Sequence, residues 1–214
     1  MIPDLLRFWG ASPSSSAALI WVSGVFVSAY LLGSIPSGIL VTKALGLGDL
    51  KKLGSGNIGA TNVLRTGNYK AASITLLLDA GKGLLAVYVA EKHLGATAAH
   101  FAALGVFCGH LFSLFLFFRG GKGVATFLGI LIILNFYLAL IFCLSWLIIA
   151  FLLRYSSLAS LISSFFSIFI LFFSGDLSFL WLIITMVTLI WFKHRENLLR
   201  LAGGKESKIS FKEN

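Results

Sequence analysis

Charged side chains and cysteines are scarce in this chain. Only 12% of its 214 residues are charged, whereas 58% are hydrophobic, and the mean hydropathy is +0.95. These values lie far outside the usual composition of soluble domains, so a lipid bilayer is the expected solvent. The two cysteines, Cys108 and Cys143, stand singly in apolar runs. Their spacing indicates neither a disulfide nor a metal site, and we interpret both as packing residues.

Several other signatures are missing. No small-residue cleavage site ends the first apolar segment, and both Asp4 and Arg7 precede it, so we interpret this segment as a retained span rather than a removed signal peptide. The net charge of +9 comes without a basic helix or an aromatic platform, which argues against nucleic-acid binding. No repeat or linker divides residues 1–214, so a single domain is expected. The sequence indicates no metal and no cofactor.

Long apolar runs are what the chain does contain. They cover residues 17–42, 71–92, 96–118, 123–153, 157–174 and 177–192, and most are near the ~20 residues that cross a bilayer. The fourth run is too long for one helix. Asn135 near its middle, followed by Phe136 and Tyr137, suits a tight reversal between two short helices. We therefore predict an all-α integral membrane fold with seven transmembrane helices.

The placement of basic residues predicts the orientation, because Lys and Arg collect in short cytoplasmic loops. With the N-terminus outside, most of the 17 basic residues fall in inward loops. A single span over 123–153 would instead put Arg154 and the tail on the opposite side from the loop at 51–65. We predict an outer N-terminus, a cytoplasmic C-terminus and a cytoplasmic basic tail over residues 193–214. Residues 1–16 are expected to lie along the outer interface.

The loop at residues 51–65 is the strongest candidate for a phosphate site. Glycines let backbone N–H groups approach an anion closely, basic residues supply charge, and hydroxyl and amide groups supply hydrogen bonds. The spacing of Gly54, Gly56 and Gly59 matches a dinucleotide fingerprint, but an apolar helix precedes it instead of a strand. A flexible connector is the alternative interpretation. The candidate residues are Lys51, Gly54, Ser55, Gly56, Asn57, Thr61, Asn62 and Arg65.

A second glycine loop, from Arg119 to Thr126, lies on the same predicted side. It matches half of a Walker A motif but fails as one, because Gly123 stands where a Ser or Thr must bind magnesium. A glycine loop with Lys122 at the start of a helix still suits an anion. A turn that is basic only because it faces the cytoplasm explains the same residues equally well. The candidates are Gly120, Gly121, Lys122, Gly123 and Thr126.

Charged and imidazole side chains interrupt two of the apolar runs. Asp79 and Lys82 are three residues apart, so they share one helix face and can neutralise each other. Such pairing matters because a charge within a membrane is costly. A structural pair explains them at least as well as a catalytic role. We interpret His110 in the third run as a hydrogen-bonded structural residue, although it lies near the predicted cytoplasmic end.

Two further clusters lie at inward turns. His194 and Asn197 follow the last apolar run, and in a helix they would share one face. Contact with lipid head groups explains the arginines of this segment but not these two residues. Ser156 and Ser157 follow Arg154, where one of them could bind a phosphate or cap a helix.

Together these motifs resemble one family of membrane enzymes. The stretch 31–38, the loops 54–65 and 119–126, and the cluster 194–200 occur as they do in the bacterial acyl-phosphate:glycerol-3-phosphate acyltransferases. Two positions depart from the family pattern. Lys51 stands where arginine is common, which gives a point charge instead of a bidentate fork, and Ser113 stands where proline is common. The ordered combination is far more specific than either glycine loop alone.

The resemblance implies a seven-helix acyltransferase in the bacterial inner membrane, with its active site facing the cytoplasm. It would move a fatty acyl group from acyl phosphate to the 1-hydroxyl of sn-glycerol 3-phosphate. The products would be lysophosphatidic acid and inorganic phosphate, in the first step of phospholipid synthesis. The implied partners are the two substrates, membrane lipids and the enzyme that forms acyl phosphate.

The resemblance also implies roles for individual residues. The catalytic set is Ser55, Arg65, Lys122, His194 and Asn197. The substrate-binding set is Ser34, Lys51, Gly54, Gly56, Asn57, Thr61, Asn62, Gly120, Gly121, Gly123, Thr126 and Ser157, with Ser156 as an alternative to the last. The resemblance makes Glu196 a structural candidate, in addition to Asp79, Lys82 and His110, which are structural candidates from their own positions in the apolar runs.

No histidine is followed by aspartate at the spacing of the His-x4-Asp acyltransferases, so a histidine–aspartate base is not expected. An acyl phosphate is already activated, and the protein must mainly orient the hydroxyl and stabilise negative charge. The proton acceptor is either the donor's own phosphate or His194 with a pKa near neutrality. A transporter of phosphate or an organic anion is the alternative function. It predicts deep polar residues, and few are present after the second run.

Overall fold

The computed structural model describes residues 16–209, and within that part the chain is helical without strands. The expected interfacial segment up to residue 15 and the last residues of the tail, 210–214, lie outside the described part. The α-helices are α1 (Ser16–Ser34), α2 (Ser37–Ala44), α3 (Ala60–Val63), α4 (Tyr69–Leu94), α5 (Ala96–Leu111), α6 (Val124–Leu134), α7 (Phe136–Leu153), α8 (Ser156–Ser174), α9 (Leu180–Lys193) and α10 (Arg195–Ala202).

These helices follow the apolar runs closely. Five apolar segments are long enough to cross a membrane, namely Leu19–Ala44, Tyr69–Leu94, Ala96–Leu116, Phe136–Leu153 and Ser156–Ser174. Helices α6 and α9, with 11 and 14 residues, are shorter than the ~20 residues of a perpendicular span. The prediction of an all-α integral membrane protein with several spans is therefore confirmed.

The first apolar run is interrupted at Pro36, between α1 and α2. Proline has no N–H to donate and disfavours helical backbone at the residue before it. The backbone N–H of Leu40 still bonds to the carbonyl of Pro36 at 3.1 Å, so a helix restarts at once. At the break the carbonyl of Ile35 accepts from Ser37 N at 3.1 Å and also from the ammonium of Lys82 in α4 at 3.1 Å.

The chain reverses at Asn135, as the sequence predicts. The Asn135 side chain accepts a hydrogen bond from Leu138 N at 2.9 Å and caps the start of α7. Phe127 and Phe142, on either side of this residue, have ring centroids 5.2 Å apart. A continuous helix would separate them by about 22 Å, so α6 and α7 run in opposite directions.

Small residues bring α1 and α5 into close contact. A Cβ on Gly105 would collide with the carbonyl of Phe26, and one on Gly109 would collide with that of Tyr30. Backbones approach this closely in membranes where glycine and alanine line the interface. The Tyr30 hydroxyl also donates to Phe112 O at 2.6 Å. These contacts with α1 fix the position of the end of α5, against which the second glycine loop lies.

Candidate active site

The first glycine loop is organised around Asn62, which is 2% exposed. Its amide nitrogen donates to the carbonyls of Leu50, Leu53 and Asn57 at 2.8 to 3.0 Å. Its amide oxygen accepts from the backbone N–H of Ser55 at 3.2 Å. Since the loop already uses both ends of this amide, we assign Asn62 to the shape of the loop rather than to substrate. Ser55 remains exposed at its surface.

Gly54 in the same loop makes room for Arg65. Its φ of +51° lies in the left-handed region that favours glycine, and a Cβ there would meet Arg65 Cδ at 2.6 Å. The guanidinium of Arg65 donates to the hydroxyl of Ser207 at 2.5 Å. Arg65 therefore joins the first loop to the C-terminal segment.

The second glycine loop places Lys122 opposite α10. The ammonium of Lys122 donates to Asn197 Oδ1 at 2.5 Å. Burial lowers the pKa of Lys122 to about 8, and the negative charge of Glu206 opposes that shift. An ammonium group with few water contacts interacts strongly with any anion that replaces its solvent.

Residues 203–209 form a C-terminal segment that folds back over Arg65, Lys122 and Asn197. Its central residue is Glu206. Its Oε1 accepts from Ser157 Oγ at 2.7 Å and from Asn197 Nδ2 at 2.6 Å. Its Oε2 lies 2.8 Å from Arg200 Nε. These hydrogen bonds hold the pKa of Glu206 below its usual value although burial alone would raise it. One carboxylate thus connects α8, α10 and the C-terminal segment.

His194 lies where α9 ends, and it is 2% exposed. Its Nδ1 is 2.8 Å from the carbonyl of Ile190. A carbonyl only accepts, so Nδ1 carries the proton in the neutral ring and Nε2 is left as an acceptor. Burial lowers the pKa of His194 to about 4, and the charge of Lys122 adds to the effect. The ring is neutral at physiological pH and is a weak base, in contrast to the near-neutral pKa that a general base requires.

Two cavities, one mainly apolar and one basic, meet at Lys122. One, of about 390 Å³, runs from Arg65 and Ser157 down between α4, α6 and α7. Apart from Asp79, His110 and a few serines, its lining between these helices is apolar and includes Leu76, Leu128, Phe142, Cys143, Trp146 and Leu147. The other, of about 490 Å³, is a basic groove lined by Lys51, Arg119, Lys122, Lys193, Arg195 and Arg200, with Glu196 as its acidic member. Ser55, Asn57 and Lys122 line both.

Most of the predicted site residues lie on these two cavities. The apolar cavity includes Ser55, Asn57, Thr61, Asn62, Arg65, Lys122, Gly123, Ser156, Ser157, His194 and Asn197. The basic groove adds Lys51, Gly56, Gly120 and Gly121. The separate motifs therefore lie next to one another in the fold, and their assignment to one substrate site stays a prediction.

Three predicted residues line neither cavity. Ser34 is buried, and its hydroxyl accepts from Leu114 N at 3.2 Å while its carbonyl accepts from Ser113. Thr126 is fully buried in the first turn of α6, where its hydroxyl has no hydrogen-bond partner among the described residues, and Gly54 makes room for Arg65. Their assignment to substrate binding stays a prediction, and for Ser34 and Gly54 the contacts with protein atoms favour support of the site instead.

The acidic residue that organises the site is Glu206 and not Glu196. Glu196 is exposed in the first turn of α10, whereas Glu206 contacts three residues of the site, Ser157, Asn197 and Arg200. The sequence contained one signal for Glu206, namely a carboxylate between Lys205 and Lys208 in an otherwise basic segment. Trp146, whose indole nitrogen donates to Ser160 Oγ at 2.9 Å, was also not predicted.

The charges predicted within the second run do form a pair. Lys82 Nζ lies 3.0 Å from Asp79 Oδ1, and His110 Nδ1 lies 3.5 Å from the same oxygen. Both Asp79 and His110 also line the apolar cavity.

An apolar cavity meets a basic groove at the partly buried Lys122, an arrangement that suits an enzyme acting on a lipid chain and a soluble anion. Comparison with known proteins identifies the family. The model for the family "Glycerol-3-phosphate acyltransferase" matches residues 23–204, and the chain belongs to this family. The resemblance drawn from the four motifs is thereby confirmed.

Individual relatives agree with the family match. The glycerol-3-phosphate acyltransferase of Mesorhizobium japonicum is 53% identical over 186 residues, which are 87% of this chain and 95% of that protein. That of Cereibacter sphaeroides is 48% identical over 200 residues, 94% of this chain and 95% of that protein. Membership in an enzyme family favours the transferase over the transporter.

Solved structures share the fold. The crystal structure of PlsY, an integral membrane glycerol 3-phosphate acyltransferase, in its glycerol 3-phosphate form has a TM-score of 0.84 and 38% identity, and the match covers 88% of this chain and 96% of that chain. A second PlsY structure, the lysophosphatidic acid form, has a TM-score of 0.83 and 37% identity over 90% of this chain and 97% of that chain.

Proposed function

We propose that this protein transfers a fatty acyl group from acyl phosphate to the 1-hydroxyl of sn-glycerol 3-phosphate. The observation that carries the proposal is the junction at Lys122, where an apolar cavity of about 390 Å³ meets a basic groove of about 490 Å³. The first suits a fatty acyl chain, because its deep lining is hydrophobic. The second suits the phosphate of a soluble acceptor.

In this proposal the acyl chain lies between α4, α6 and α7, and its phosphate lies against Lys122, Ser55 and Asn57. Glycerol 3-phosphate enters from the groove, where Lys51, Arg195 and Arg200 attract its phosphate. Its 1-hydroxyl oxygen forms a bond to the acyl carbon, and the bond between that carbon and the phosphate oxygen breaks. The hydroxyl proton leaves with the released phosphate, so lysophosphatidic acid and inorganic phosphate are the products.

Catalysis then depends on position and charge more than on a protein base. Lys122, Arg65 and loop N–H groups stabilise the charge that develops on the leaving phosphate. The low pKa of His194, about 4, supports the donor phosphate as the proton acceptor. Nε2 of His194 would accept a hydrogen bond from the glycerol hydroxyl and orient it. Asn197 and Glu206 hold Lys122 and Ser157 in place.

The finer topology also remains a proposal. Seven spans with an outer N-terminus and a cytoplasmic C-terminus are supported by the reversal at Asn135 and by the basic groove. The chain would reside in the bacterial inner membrane with the groove facing the cytoplasm. A cysteine placed at Ser207 should react with a membrane-impermeant thiol reagent only in inverted vesicles. Reaction in right-side-out vesicles would overturn this orientation.

We also propose that the enzyme which makes acyl phosphate is a partner, because an apolar donor with a labile phosphate is best transferred directly. Co-purification from membranes tests this, and its absence after crosslinking would contradict it.

Donor identity tests the activity itself. Purified protein in lipid vesicles receives glycerol 3-phosphate with acyl phosphate, acyl-CoA or acylated acyl carrier protein, and lysophosphatidic acid is measured. Product is expected with acyl phosphate alone. Product only from a thioester donor would overturn the donor assignment, and no product from any donor would overturn the proposed activity.

A further inference from the structure

The bundle contains a buried ionic cluster formed by Asp79, Lys82 and His110, which are 2%, 7% and 4% exposed. Lys82 Nζ lies 3.0 Å from Asp79 Oδ1 and donates to the carbonyl of Ile35 at 3.1 Å. It thereby fixes α4 to the interruption after α1. Burying charges is costly, and a structural tie explains Lys82. It does not explain why His110 faces the same carboxylate.

His110 lies directly beneath the second glycine loop. The backbone N–H of Gly121 donates to His110 O at 3.0 Å, and that of Gly120 donates to Leu111 O at 3.2 Å. The imidazole packs against the Cα of Gly121. The three atoms nearest to a Cβ added there are all from this ring, with Cε1 at 3.0 Å and Nε2 closer still.

The next residue after Gly121 is Lys122, whose ammonium is held by Asn197 at 2.5 Å. Glycine at 121 is required by space and not by backbone conformation, because its φ lies outside the left-handed region. The imidazole therefore determines how closely this turn approaches α5, and hence where Lys122 begins. Asp79 Oδ1 lies 3.5 Å from Nδ1 of the ring, as an electrostatic contact rather than a hydrogen bond.

We propose that Asp79 and His110 are positioning residues for acyl transfer: Asp79 orients the imidazole, the imidazole supports the turn at Gly120 and Gly121, and the turn places Lys122 between the two cavities. The inference rests on the proposed function and adds a specific support to its central cation. A purely structural pair would affect folding but would show no particular coupling to Gly121 or Lys122.

The contact between the ring and the glycine gives a reciprocal test. Gly121→Ala alone should collide with the imidazole and lower kcat about 100-fold, since a displacement of 1 Å can cost that much. His110→Ala should lower kcat about 10-fold or more through loss of support, with the KM for glycerol 3-phosphate changed less than about twofold. In His110→Ala/Gly121→Ala the new methyl occupies space that the ring has vacated. Its kcat should exceed that of Gly121→Ala by about tenfold.

The second part of the test measures the coupling between His110 and Lys122. Adding His110→Ala to Lys122→Ala should cause no further loss, because the effect of the ring acts through Lys122. His100→Ala is the matched control, since it removes a half-buried histidine from the other end of the same helix and should leave kcat unchanged. His110→Asn serves in the same comparisons where His110→Ala does not elute as a folded protein.

The wild-type protein is assayed alongside with acyl phosphate. No product from the wild type would refute the proposed function itself. With an active wild type, the positioning role is overturned if His110→Ala retains its turnover, if the double variant is no better than Gly121→Ala, or if the His110 and Lys122 effects multiply.

Discussion

The ammonium of Lys122 donates a 2.5 Å hydrogen bond to the amide oxygen of Asn197, although 75 positions separate them in the sequence. The amide nitrogen of Asn197 continues to Glu206 at 2.6 Å. This relationship fixes the cation at which the two cavities meet. It also connects the second glycine loop to α10, two segments that are far apart in the sequence.

Removal of either partner should reduce catalysis. We expect Lys122→Ala to lower kcat/KM about 100- to 1,000-fold, in the range of a lost transition-state donor. Asn197→Leu, similar in size but without hydrogen bonds, should lower it about 10-fold or more by releasing the ammonium and leaving Glu206 short of a donor. Steady-state assays in lipid measure both, with the exposed Leu199→Ala of the same helix as control. Near-normal activity of Lys122→Ala would contradict its role.

The pH dependence should follow Lys122. Its charged form prevails below a pKa of about 8, and the charged form is the one that binds phosphate. The kcat/KM should therefore be maintained below pH 8 and fall above it, since this ratio reports the free enzyme. In Lys122→Arg the guanidinium stays charged, so the alkaline limb should disappear whatever activity remains. An unchanged limb in that variant would assign it to another group.

Glu206 should contribute to both stability and activity. Glu206→Gln removes the charge that pairs with Arg200 and replaces one acceptor by a donor, which faces either Arg200 or both Ser157 and Asn197. We expect a loss of about 1.5 to 3 kcal/mol, typical of hydrogen bonds to a charged group, seen as a lower Tm, and a kcat/KM lower by about 10-fold. Glu91→Gln, at the far end of α4 and exposed, is the control. Equal Tm values for the two variants would show that the contacts of the Glu206 carboxylate do not stabilise the fold.

The two cavities should respond separately to substitution. Leu147→Trp fills the apolar cavity and should raise the KM for acyl phosphate about 10-fold with little effect on glycerol 3-phosphate. Arg195→Gln removes charge from the groove and should raise the KM for glycerol 3-phosphate about 10-fold, with little effect on the KM for acyl phosphate. Leu144→Trp, one turn away from Leu147 on α7 and exposed, should leave both KM values unchanged. If Leu147→Trp instead raised the KM for glycerol 3-phosphate and Arg195→Gln that for acyl phosphate, the two substrates would have to be assigned to the opposite cavities.

His194 distinguishes the two proton acceptors. With a pKa of about 4 the ring orients more than it deprotonates, so His194→Gln should lose about 10-fold in kcat with no change in the acidic part of the pH profile. A general base would contribute about 100- to 10,000-fold. A loss of that size, together with disappearance of an acidic limb, would restore His194 as the base.

Local signals predicted the helices and the reversal because both depend on neighbouring residues. Apolar run lengths located the helices, and Asn135 marked the break since it caps α7. The glycine loops were predicted because their composition itself suits an anion. Gly54 was predicted as a substrate-binding residue, and its contact with Arg65 is visible only in three dimensions.

Long-range contacts were beyond prediction. Glu206 reaches Ser157 across 49 positions, and nothing in a basic tail indicates that it folds back over a site. Asn62 and Ser34 were assigned to substrate because a polar side chain in a motif is ambiguous. Only the partners of its atoms show whether it faces a ligand or its own loop.

The most direct measurement of the central claim follows both products in one reaction. Wild-type protein in vesicles receives acyl phosphate and glycerol 3-phosphate, and lysophosphatidic acid and inorganic phosphate are quantified together, with Lys122→Ala in parallel. We predict one phosphate released for each lysophosphatidic acid formed, with both products lost together in the variant. Phosphate release without lysophosphatidic acid, or equal rates in the variant, would contradict acyl transfer at the junction of the two cavities.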